Sequence, residues 1–277
     1  MSGADELAVL TPTQRMNSMV TIRPLCAASI LVSVIGLLVS GCEPRPKPQP
    51  AEHAQVPPGG ARPPAGYPVM APLDEYLMPD REAEIALART AAPPAISDDA
   101  TVLVLTRQGY QKAVEGKNGF VCFVDRSWSS PFDDDEYWNP KKRGPTCLNA
   151  PAARSAWPVI NRLTELALAG QSKDAIMARM KESIAKKEFG PPEMGSMSYM
   201  MSKNQYLNDN AAHWHPHLMF YMPGEMDGSA WGANLPAGSA VYGGGADMPG
   251  GGRMPWTIFF VPVPKWSDGT PAEMHHG

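Results

Sequence analysis

The ten residues His213-Trp-His-Pro-His-Leu-Met-Phe-Tyr-Met222 constrain the fold more than any other stretch of the chain. In an extended strand the side chains alternate between faces, so His213, His215, His217, Met219 and Tyr221 share one side. Trp214, Pro216, Leu218, Phe220 and Met222 share the other side, and all five are apolar. The pattern predicts a strand with its apolar face in a core and a histidine row on the face left open to a ligand.

Such a strand needs neighbours, and the chain supplies them. Thr101–Thr106 and Phe120–Asp125 read as buried strands, and Trp256–Val263 is apolar on both faces, as a central strand requires. Met197–Met201 and Ser239–Tyr242 are shorter candidates, and Gly109–Gly116 reads as a short helix or turn. Asp80–Ala91 is rich in helix formers, with acids in its first turn and Pro93-Pro94 as a stop. Trp157–Ala169 carries Pro158 in its first turn and Gly170 as a C-cap. Ser172 then caps a helix to about Lys187, on which Ile176, Met180 and Ile184 form one apolar stripe. Short strands interrupted by an adjacent helix pair predict an α+β domain with a mainly antiparallel sheet. The competing architecture is a β-sandwich with inserted helices.

The first ~70 residues do not read as globular. Leu25–Val39 is an uncharged apolar run of 15 residues, shorter than the about 20 a membrane-spanning helix needs but suited to a secretion signal. It ends Val39-Ser-Gly-Cys42, which resembles the lipobox of bacterial lipoproteins. That resemblance implies cleavage before Cys42, lipid on its sulfur and a membrane anchor in the bacterial envelope, facing the periplasm or the exterior. The alternatives are an ordinary signal peptide and an uncleaved anchor. Asp5 and Glu6 are unusual ahead of such a segment, which favours a start at Met16 or Met19 and a signal ending at residue 41. Residues 42–72 are then a tether: proline locks φ near the polyproline II value, and 30 residues at ~3.1 Å each span at most roughly 90 Å. Residues 73–277 are expected to form a single domain. The net charge of −4, with no basic excess, argues against a nucleic-acid partner.

With Cys26 in the signal and Cys42 lipidated, Cys122 and Cys147 remain. In an oxidising compartment they are expected to pair, closing a ~26-residue loop worth roughly 3–4 kcal/mol. Metal ligation or redox chemistry is the alternative, although no Cys-x-x-Cys is present. The acidic run Asp133–Glu136 lacks the spacing of a calcium loop and reads as a solvated loop facing Lys141, Lys142 and Arg143.

Imidazole is the commonest transition-metal ligand, and His-x-His on a strand recurs in zinc sites. Strand geometry limits the row. Same-face neighbours lie ~6.6 Å apart, so one ion takes an adjacent pair and not all three. His215 belongs to either pair, with Asp209, Glu225, Asp227 or Asp247 as further ligands. Zinc with an open position would support hydrolysis. Met194, Met197, Met200, Met219, Met222 and Met226 bracket the histidines, and thioether with imidazole suits copper. A third reading has no metal, the row serving as a hydrogen-bonded feature or a groove wall. Gly243–Gly252 is not a phosphate loop, and no nucleophile elbow is present.

Two segments, Asn118–Trp128 and Tyr199–Phe220, are similar to exported bacterial proteins of unknown function, a resemblance that implies no activity, substrate or site. Two functions of different class follow: a membrane-tethered module that binds a small ligand or envelope partner, and a metal-dependent hydrolase.

Overall fold

A computed structural model describes residues 66–235, 239–244, 247–248, 252–253 and 256–272. The signal, Cys42, most of the tether, His275 and His276 lie outside the described residues. The last part of the stretch read as tether lies inside them, and there Tyr67, Met70 and Ala71 pack against the main core.

Local sequence explains most of the elements. Helix α1 (Arg81–Arg89) starts where the Asp80 carboxylate accepts a hydrogen bond from the Glu82 N–H. A single turn, α2 (Pro94–Ser97), follows the proline pair. Strands β1 (Thr101–Thr106) and β2 (Gly109–Val114) form a hairpin, so most of Gly109–Gly116 is a strand and not the helix or turn that its composition suggests. Gly109 makes the turn possible, because its φ of 96° is open to glycine at no steric cost. β3 (Val121–Asp125) lies parallel to β1, and β4 (Gly144–Leu148) lies antiparallel to β3.

A short helix α3 (Ala150–Ser155), capped by Asn149, leads into α4 (Trp157–Leu168), and Ser172 caps α5 (Lys173–Ala185). Strands β5 (Met197–Met200), β6 (His217–Pro223), β7 (Tyr242–Gly243) and β10 (Trp256–Pro262) complete the main sheet. Between them β8 (Asp247–Met248) and β9 (Gly252–Arg253) pair separately. The main sheet runs β2-β1-β3-β4-β5-β6-β10-β7, and β1–β3 is its one parallel pairing. The fold is α+β with a mainly antiparallel sheet and a packed helix pair.

Helices lie on both sides of that sheet. On one side α1 presents Ile85 and Ala88, with Ala91 and Ala92 beyond its end, to Val102, Val104, Cys122, Val124 and Cys147. Cys122 and Cys147 face each other directly across β3 and β4 and are joined by a disulfide. On the other side α4 and α5 bring Val159, Leu163, Ile176 and Met180 into one cluster with Leu105, Phe123, Leu148, Met219 and Tyr221. A buried ion pair ties α1 to the ends of β1 and β3. Glu84 Oε1 accepts from Arg126 Nη2 at 2.8 Å and from the Leu105 N–H at 3.1 Å.

Candidate functional site

Between the α4 side of the sheet and α4 itself lies a cavity of about 530 Å³. The register of the strands explains which side chains reach it. Met200 stands beside His217, Phe260 beside Met219, and Ile258 beside Tyr221, all on one face. Helix α4 closes the space with Val159, Ile160 and Leu163, while Phe132, Leu207, Trp214 and Trp256 complete an apolar lining. Gly144 on β4 adds room. A Cβ there would lie 3.3 Å from Met200 Cε, 3.5 Å from Leu207 Cδ2 and 3.6 Å from Asp125 Cβ.

Few polar groups enter this apolar space. Asp125 ends β3, and its Oδ1 accepts from Ser129 Oγ at 2.6 Å and from the Arg126 N–H at 3.0 Å. Its residual exposure opens onto the cavity, so little bulk water solvates the charge, and burial pushes its pKa up to about 6. The cations nearby are committed elsewhere. Lys142 Nζ donates to Ser130 Oγ at 2.9 Å and to Asp134 Oδ2 at 2.6 Å, fastening the 130–134 loop at the rim. Arg126 donates to Glu84, to the Tyr76 carbonyl and to the Val124 carbonyl. Tyr221 Oη and Ser198 Oγ are 3.1 Å apart, and burial raises the phenol to about 12.

The histidines do not form the expected row. β6 begins at His217, and His213–Pro216 runs ahead of it outside any strand. Pro216 has no N–H to give a ladder, and the Trp214 carbonyl is taken by Gln205 Nε2 at 2.6 Å. His213 is exposed and packs its edge on Trp266, His215 is half-buried, and His217 is 2% exposed. The faces are also exchanged relative to the sequence pattern. His217, Met219 and Tyr221 are buried and line the cavity, whereas Leu218, Phe220 and Met222 are only half-buried.

His217 has its ring 4.6 Å from that of Trp214, and its Nδ1 lies 2.7 Å from the His215 carbonyl oxygen. A carbonyl can only accept, so Nδ1 carries the proton and Nε2 keeps its lone pair. Burial lowers the imidazole to about 4, which keeps the ring neutral at ordinary pH.

Among the described residues no three His, Cys, Asp or Glu side chains are grouped so as to hold a metal ion. The suggested carboxylates are dispersed. Asp209 is bonded to Tyr67, Asn139 and Tyr206, Asp227 caps the 228–231 turn, and Glu225 is exposed. Asp247 lies in β8, its side chain outside the described residues. Asp134 of the acidic run does face Lys142, as its charge pattern suggested. Among the described residues, too, no helix is long and apolar enough to cross a membrane.

Sequence reasoning missed Asp125, Gly144, Leu163 and Lys142 as site residues. The signal available was Asp125 itself, a carboxylate directly after the apolar run Phe120–Val124. No family model, curated protein or solved structure matches the chain.

Proposed function

We propose that the chain is an envelope lipoprotein, anchored through Cys42, whose folded domain binds an apolar small molecule between α4 and the sheet. The observation that carries this reading is the cavity. Its volume of about 530 Å³ falls within the roughly 300–1,000 Å³ of small-molecule sites, and its walls are apolar with a few fixed polar groups. Two tryptophans in the lining, Trp214 and Trp256, give the site its own reporters.

The test titrates 1-dodecanol into the full-length protein in detergent micelles and follows tryptophan fluorescence and the thermal midpoint. Binding to the native state gives a saturable fluorescence change and raises the midpoint. A variant that fills the space, Ile160→Phe with Leu163→Phe and Met219→Phe, loses both responses while remaining folded. Equal responses from the filled variant and the parent would show that dodecanol meets the protein elsewhere.

A further inference from the structure

The polar atoms of the cavity specify which end group a ligand brings. This deepens the binding proposal and rests on it. Every cation that lines the space already has partners of its own: Lys142 holds Ser130 and Asp134, and the Arg126 guanidinium holds Glu84 and two carbonyls. The Ser129 hydroxyl is spent on Asp125, and that of Thr146 on the Gly144 carbonyl at 3.1 Å. The lysine and arginine charges are each met by a carboxylate, whereas Asp125 has no ion-pair partner among the described residues, and its Oδ2, like Nε2 of His217, receives no hydrogen bond there. Both are acceptors. Oδ1 of Asp125 takes both of the hydrogen bonds the carboxylate receives, and the residue lines the cavity.

An anionic head group would therefore meet a carboxylate and a lone pair, with no uncommitted cation to offset its charge. A hydroxyl offers one donor and no charge. A primary ammonium offers three donors and the opposite charge to Asp125, in surroundings where few water dipoles compete for either. We infer that the cavity selects amphiphiles with an apolar body and a protonated amine, which donates to Asp125 Oδ2.

The experiment compares three probes that share one chain and differ only at the head: dodecylamine, 1-dodecanol and dodecanoate. Each is titrated at pH 7.5 into the full-length protein in the same micelles, with tryptophan fluorescence as the readout. Dodecylamine is expected to bind about tenfold or more tightly than dodecanol, the ordinary advantage of a charge-assisted hydrogen bond, with dodecanoate the weakest. In Asp125→Asn, which preserves shape and the Oδ1 acceptor, the amine loses more affinity than the alcohol, and the preference for amine over alcohol falls below about threefold.

Dodecanol or dodecanoate binding as tightly as the amine overturns the inference and leaves the binding proposal standing. So does an amine preference that survives in Asp125→Asn. Failure of all three probes overturns both. If Asp125→Asn does not give a cooperative melt, the ranking of the three probes on the parent protein decides alone.

Discussion

The two faces of the sheet are built from different materials. The buried core of the α1 face is mostly alanines, valines and two cysteines, with Ile85 its one larger side chain, and closes with a disulfide and a buried ion pair. The α4 face uses tryptophans, tyrosines, phenylalanines, methionines and leucines, and encloses about 530 Å³ of space. Small side chains let a helix settle closely on a sheet, whereas large ones hold the layers apart and interlock only where their shapes match. One face is therefore a clamp and the other a container. The difference teaches that the cavity side of this domain can be loose because the opposite side holds the strands.

The strongest way to break that comparison is to cut the clamp. Arg126→Met removes the partner of Glu84, whose side chain is 2% exposed, and leaves a buried carboxylate unpaired. The expected loss is about 3–5 kcal/mol in urea denaturation, and a loss under about 1 kcal/mol would mean that the ion pair holds nothing. Overpacking sharpens the contrast. Ala88→Leu on the α1 face should cost about 1–3 kcal/mol, because Ala88 is fully buried against the sheet. Leu163→Phe, facing the cavity, should cost less than about 1 kcal/mol. Similar penalties at both positions would erase the distinction between the faces.

The smallest effect is set by pH. Asp125 has its pKa raised from 3.8 to about 6, so the folded protein binds this proton more tightly than the unfolded chain does. Its contribution to stability is present at low pH and is lost as pH rises from 3.8 through 6. His217 runs the other way. Its pKa falls from 6.5 to about 4, so stability is lost as pH drops through that window. In the parent protein the two partly offset between pH 4 and 6. Asp125→Asn should add about 1–2 kcal/mol at pH 8, converge with the parent near pH 4, and expose the histidine slope. Thermal midpoints at pH 4, 5, 6 and 8 read this directly. Parallel curves would show that Asp125 titrates as a solvated carboxylate.

Helices α1, α4 and α5 were legible because each carries its own boundary: Asp80, Pro158 with Gly170, and Ser172. β1, β3 and β10 were legible as apolar runs, and Cys122 with Cys147 as the remaining pair. β4 was not, because Pro145 sits in a strand flanked on both sides, where proline is normally excluded. The histidine face was misplaced for a physical reason. An alternating strand reveals its inner face only when its other face meets water, and here the apolar set Leu218, Phe220 and Met222 is half-buried while His217, Met219 and Tyr221 border a half-open cavity. The cavity itself could not be read at all, since its walls depend on the registers of β4, β5, β6 and β10.

Those registers also decide when the cavity comes into being. Its lining runs in sequence from Asp125 to Phe260, and its floor requires Met219 to find Phe260 across a long excursion of chain. The hairpin of β1 and β2 closes locally, but distant pairings must overcome loop-closure entropy before their contacts help, so they form late. A half-folded chain thus has no container to fill. An amphiphile would find a pocket only on a finished molecule, and a bound ligand would report that folding had gone to completion.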